Sequence, residues 1–237
     1  MLIAAALLAG GCRGTARSSG PPRPSASRTS TTPAPTGPER TQPKTVLLPG
    51  HTYVTSKFRP RIIFTVREPW WLDGEFPTAM LLEPGSQPLG YPAVGFTDLD
   101  RVYPPSNQRV TVKAPKNMVA WFVHHPGWKL LVKPHPVQVG GLHGAGFDIQ
   151  LVYAPTCNCP DVAAPGKCWN TWPGPAGEPG RFCNTDQGNF ERDRIDVFRI
   201  RSRHYLLLAY GDYPESFASG VRRFEELLST VRIEGLR

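Results

Sequence analysis

The clearest hydrophobic periodicity lies near the C-terminus. Phe217, Val221, Phe224, Leu228 and Val231 recur at spacings of four, three, four and three, which lays one apolar stripe along a helix. Arg222, Arg223, Glu225 and Glu226 cover the opposite side, and Pro214 and Glu215 suit a first turn. Upstream, the period falls to two. Ile62, Phe64 and Val66 share one face of an alternating segment over 61–67, and Phe147, Ile149, Leu151 and Tyr153 alternate with Asp148 and Gln150, so the first segment predicts a strand and the second a half-buried strand. Residues 195–201, a tight Ser202-Arg203 turn and 204–210 read as a hairpin. Its second strand, Tyr205-Leu-Leu-Leu-Ala-Tyr210, is apolar enough to be buried on both faces.

Weaker signals complete the pattern. Strands are expected at 51–58, 78–82, 93–97, 129–133, 137–139 and 231–233, separated by Pro and Gly turns. A short helix is expected over 115–124, with Pro115 in its first turn and Pro126-Gly127 stopping it. Many antiparallel strands with a mid-chain helix and a C-terminal helix make an α+β fold, the helices packed on an antiparallel sheet. The segment 154–190 is too long for an ordinary connection and contains Cys157, Cys159, Cys168 and Cys183.

The first residues follow a different logic. Leu2 to Leu8 is an apolar run far below the roughly 20 residues needed to span a bilayer. It ends in Ala9-Gly10-Gly11-Cys12, small residues before a cysteine, which reads as a bacterial lipoprotein signal over 1–11 with lipidation at Cys12. Leu8 stands four residues before Cys12 rather than three, and no Lys or Arg precedes the run, so a basic segment upstream of Met1 is expected. A diacylglyceryl cysteine would anchor the chain firmly to the outer face of the cell membrane. Residues 12–45 are rich in Ser, Thr, Pro and Arg and cannot bury enough surface to offset their ordering entropy, so they read as a disordered tether. One folded domain is then expected over 46–237.

Charge supports this partition. The net charge is +8, and between Cys12 and Gly50 six cations face Glu39 alone, so five of the eight excess charges lie there. A basic tether beside a lipid anchor is drawn to anionic headgroups. The remainder has no basic face interleaved with aromatic residues, and nucleic-acid binding is not expected.

An even number of clustered cysteines in an exported chain predicts disulfides. Three pairings of the four are possible, and Cys157 with Cys159 is the least favoured because one intervening residue strains the bridge. Zinc would want close Cys pairs at both ends of the segment, and only one close pair, Cys157-Asn-Cys159, is present. His124, His125, His135 and His143 lie at no ligand spacing. Neither a metal nor a cofactor is expected.

Trp70 and Trp71, with Trp169 and Trp172 on the cysteine segment, are candidates for a ligand or partner surface; packing into a core is the simpler role for each. Catalytic signatures are scarce: the chain contains no G-x-S-x-G, S-x-x-K or P-loop sequence. Asp73 and Glu75, flanking Gly74 on an expected turn, are the one carboxylate pair that could serve a hydrolase.

Phe64-Thr-Val66 leading to Trp70-Trp71, the Val139-Gly-Gly-Leu-His-Gly144 turn and the ending Phe224-Glu-Glu-Leu-Leu-Ser-Thr-Val-Arg232 together resemble actinobacterial lipoproteins and, more distantly, PsbP-like α/β sandwich lipoproteins. The resemblance spans 52–233. It implies a sandwich fold and a non-enzymatic envelope protein that binds a partner or small ligand, and it transfers no catalytic residue. The cysteine segment departs from the PsbP-like pattern.

Overall fold

Alternating apolar residues build the sheet on which everything else rests. The computed structural model describes residues 37–88, 93–152, 156–157, 166–173, 179–184 and 191–235. The signal segment, Cys12, most of the tether and Cys159 lie outside these residues.

In chain order the strands begin with β1 (Glu39–Arg40), β2 (Thr45–Leu47), β3 (Thr52–Val54), β4 (Arg61–Thr65) and β5 (Trp70–Glu75). They continue with β6 (Ala79–Pro84), β7 (Ala93–Leu99), β8 (Arg101–Val102) and β9 (Val112–Lys113), followed by helix α1 (Met118–Val123). After α1 come β10 (Trp128–Val139), β11 (Leu142–Leu151), β12 (Thr156–Cys157), β13 (Gly166–Pro173), β14 (Pro179–Asn184), β15 (Arg192–Arg201) and β16 (His204–Asp212). Helix α2 (Phe217–Leu228) and β17 (Arg232–Glu234) close the described chain. The fold is therefore α+β and mostly antiparallel.

The largest sheet has eight strands in the order β10-β11-β15-β16-β7-β6-β5-β2. Strand β16 lies near its middle and shows why the sheet has two cores. Leu206, Leu208 and Tyr210 enter one apolar cluster, while Tyr205 and Leu207 enter the other. The first cluster is closed by the α2 stripe, Phe217, Val221, Phe224 and Leu228, and by Ile62 and Phe64 of the smaller sheet β1-β3-β4-β17. The second cluster lies on the opposite face, where Phe147, Ile149, Ile195 and Val197 meet Met118 and Phe122 of α1, Trp128 and Trp169. Burial of these side chains, at roughly 25 cal/mol per Å² of apolar surface, is the main stabilising term on both faces.

Several expectations change. Helix α1 starts later than 115 because Asn117 is its cap, accepting a hydrogen bond from the Ala120 N–H at 2.9 Å. The two strands expected at 129–133 and 137–139 are one strand, β10. Pro134 and Pro136 are tolerated within it because β10 is the edge of the sheet, where a missing N–H breaks no ladder bond. Asp73-Gly74-Glu75 is not a turn: it continues β5 through a β-bulge between Leu72 and Gly74. The folded region also starts before 46. Glu39 and Arg40 pair in parallel with Tyr53 and Val54, and the Thr41 side chain is buried. Finally, the cysteine segment contains an antiparallel sheet, β12-β13-β14, rather than a loop alone.

Candidate ligand-binding cleft

Four chain segments distant in sequence converge at one end of the large sheet. The chain entering β4 brings Arg59, Pro60 and Arg61. The β15–β16 hairpin brings Ile200, Arg201 and His204, and the end of β7 brings Asp98. With Glu234 and Gly235 of the C-terminal segment, these residues line a cleft of about 420 Å³. Pairing of β16 with β7 sets Asp98 opposite Leu206, one diagonal step from His204, so the sheet register itself joins the imidazole to the carboxylate.

His204 Nε2 hydrogen-bonds Asp98 Oδ1. Burial pushes the Asp98 carboxyl above its ordinary range, against the pull of His204 and, more weakly, of Arg201. Arg61 Nη1 lies 3.6 Å from Glu234 Oε2 at the rim, where both side chains are half exposed. Arg59 Nη1 donates to the carbonyls of Phe58 at 2.9 Å and Lys57 at 3.3 Å, which aims its guanidinium without neutralising it. Arg201 makes no ion pair among the described residues. The lining thus carries three guanidinium groups against two carboxylates, each carboxylate already engaged by a cation or an imidazole. Such a lining favours an anion, because planar guanidinium forks match carboxylate and phosphate oxygens. Among the described residues, its lining contains no hydroxyl or thiol side chain to act as a nucleophile.

The residues singled out from sequence do not gather around this cleft. Trp70 is 2% exposed in the first core, and Trp169 is 5% exposed in the second, so the two indoles lie on opposite faces of the sheet. Trp71 is half-buried, and Trp172 packs against the second core. The four tryptophans therefore form no common surface. Asp73 pairs with Lys44 Nζ at 2.5 Å.

Glu75 is a structural clamp. Its Oε2 accepts from Thr41 Oγ1 at 2.5 Å and Ser56 Oγ at 2.8 Å, and its Oε1 accepts from the Lys57 and Phe58 N–H groups at 2.7 and 3.0 Å. Burial pushes this carboxyl up, but the four hydrogen bonds outweigh burial and hold it below its ordinary value. A carboxylate so satisfied ties the segment before β4 to β5 and has little basicity left for a proton.

His125 is 3% exposed, stacked on Trp128 at 4.0 Å between ring centroids and met edge-on by Trp121 and Trp169. Burial lowers its pKa to about 4, so it is a neutral core aromatic at physiological pH. Among the described residues, no three His, Cys, Asp or Glu side chains group as metal ligands. The backbone register sets Cys168 opposite Cys183 and Cys157 opposite Gly166.

Asp98 and His204 escape sequence reasoning because they stand 106 residues apart and belong to no motif. The available hint was local, the dense run of Arg199, Arg201 and Arg203 beside His204 at a tight turn. No family profile matches the chain, and no curated protein is similar enough to it to count as a relative.

Proposed function

We propose that this protein is a non-catalytic lipoprotein, held to the outer face of the cell membrane through Cys12, whose folded domain binds a small anionic ligand. The observation that carries the binding role is the convergence of Arg59, Arg61 and Arg201 with the His204–Asp98 pair on one cleft. The anchoring role rests on the apolar run and small residues that precede Cys12, and on the basic tether behind them. A PsbP-like sandwich is the finer form of this reading, supported by an antiparallel sheet with α2 laid across one face. The hydrolase alternative built on Asp73 and Glu75 loses its support, since one carboxylate is paired with Lys44 and the other holds four hydrogen bonds.

The test is thermal unfolding of the chain with citrate or inorganic phosphate, against sodium chloride at equal ionic strength. A saturable rise in Tm is expected with at least one of the two anions. At a hundredfold excess over Kd the gain is about 2.7 kcal/mol. Arg201→Ala should abolish the rise while leaving the ligand-free Tm within a degree or two. A rise that does not saturate, or that survives Arg201→Ala, rules the cleft out as an anion site. Replacing Cys12 by Ser should move the chain from the membrane fraction to the soluble fraction, and retention in the membrane fraction would overturn the anchor.

A further inference from the structure

We infer that Cys168 and Cys183 form a disulfide that staples β13 to β14. Four cysteines allow three complete pairings. The strand register bears on Cys157, Cys168 and Cys183, and the bridge it favours leaves Cys157 only Cys159, the strained partner, so these two are expected to stay thiols. Cys168 of β13 lies directly opposite Cys183 of β14, flanked by the pairs Lys167 with Asn184 and Trp169 with Phe182. Directly opposed residues of antiparallel strands have Cα atoms about 4.5–5.5 Å apart. That separation falls inside the range of about 4.4–6.8 Å that a disulfide spans.

The competing partner for Cys168 is Cys157 of β12. Cys157 pairs with Gly166, two residues before Cys168, so it is a diagonal neighbour of Cys168 rather than an opposite one. Diagonal neighbours lie about 7–8 Å apart, beyond bridging distance without movement of the backbone. Register therefore assigns Cys168 to Cys183.

The position has a structural consequence. Trp169, the next residue along β13, is buried in the second core beside His125 and Trp128. A bridge at Cys168 fixes the strand that delivers this indole. Its formation converts two thiols into one S–S bond and releases two protons and two electrons. The acceptor is a disulfide, either of an envelope thiol oxidoreductase or of oxidised glutathione, which becomes two thiols.

The occurrence of the bridge in cells rests on the exported location proposed above; the choice of partners does not, and the experiment separates the two. The reduced, folded chain is incubated with oxidised glutathione, its free thiols are alkylated, and it is digested with trypsin without reduction. Cleavage after Lys167, Arg181 and Arg192 places Cys157 and Cys159 in 130–167, Cys168 in 168–181 and Cys183 in 182–192. The expected product links 168–181 to 182–192. Cys157→Ser should leave that link intact, and Cys168→Ser should leave Cys183 open to alkylation. A link from 168–181 to 130–167, or alkylation of both Cys168 and Cys183 after oxidation, overturns the pairing. If the link forms with glutathione but the chain isolated from cells carries free thiols at both positions, the pairing stands and the exported location falls.

Discussion

The hydroxyl of Tyr210 occupies the space that a side chain at Gly220 would need. A Cβ built on Gly220 would lie 1.5 Å from Tyr210 Oη and 2.1 Å from the ring carbon that bears it. Tyr210 cannot retreat. It is 1% exposed, its hydroxyl donates to Asp212 Oδ2 at 2.5 Å, and its ring stacks on Phe224 of the same helix. Asp212 in turn accepts from the Tyr213 N–H at 2.7 Å and Ser216 Oγ at 2.6 Å, which fixes the entry to α2. A glycine in mid-helix ordinarily costs about 1 kcal/mol relative to alanine, so Gly→Ala in a helix normally stabilises. Here the sign reverses. Gly220→Ala is expected to destabilise by about 3 kcal/mol, read as a lower denaturant midpoint with unchanged slope. Tyr210→Phe should not rescue it, because the overlap includes the ring carbon. A Gly220→Ala variant as stable as the parent would show that α2 is not held at this distance from the sheet.

The carboxylates of Asp73 and Glu75 make a second contrast that mutation can read. Glu75→Gln keeps the shape but replaces one acceptor oxygen by an amide donor facing groups that already donate. Loss of about 3 kcal/mol is expected. Asp73→Asn removes an exposed pair with Lys44 and should cost no more than about 1 kcal/mol. The pH dependence has a definite sign. The folded-state pKa of Glu75 is depressed, so its stabilisation is present above the ordinary glutamate value and is lost as pH falls through the folded one. Equal effects of the two substitutions on the urea midpoint at neutral pH would contradict the clamp.

These two sites also mark what the sequence could reveal. The α2 stripe, the alternation in β4 and β11 and the doubly buried β16 were legible because each is a property of one short segment and its period. The two cores follow from Tyr205 and Leu207 pointing one way and Leu206 and Leu208 the other. What was illegible depends on partners. Nothing near Glu75 announces that Thr41 and Ser56 will reach it, so Asp73-Gly74-Glu75 reads as a turn although it is a bulged strand. Trp70 and Trp169 look alike as exposed-aromatic candidates until the sheet assigns them to different cores. The cleft is the extreme case: its His204–Asp98 pair exists through the register between β7 and β16, and the Arg-rich turn beside His204 is the one local hint of it.

Asp196 gives the sharpest test of the charged side of the sheet facing α2. It is 5% exposed, and its Oδ1 has no hydrogen-bond partner. Burial raises its pKa to about 6; Arg194 and His135 pull against this, and Glu225 and Asp148 add to it. The folded value stands above the unfolded one, so the unfolded chain gives up its proton first as pH rises. Stability from this group is complete below about pH 4, declines between about pH 4 and 6, and stays at its lower level above that window. At about 1.36 kcal/mol per pKa unit the full penalty is about 3 kcal/mol, and the lost attraction to Arg194 will reduce what a neutral replacement recovers. Asp196→Asn copies the uncharged acid. It is expected to stabilise the protein at pH 7 by about 2 kcal/mol, a rise of roughly 4–8 °C in Tm for a domain of this size. The gain should shrink on acidification and vanish near pH 4. His125 titrates in the same region with the opposite sign, because its depressed pKa removes stability as pH falls from about 6.5 toward 4. That contribution is common to parent and variant and cancels when the two are compared at each pH. A Tm difference between them that is negative at pH 7, or that stays constant from pH 7 to pH 4, would mean that Asp196 is ionised and paired in the folded state.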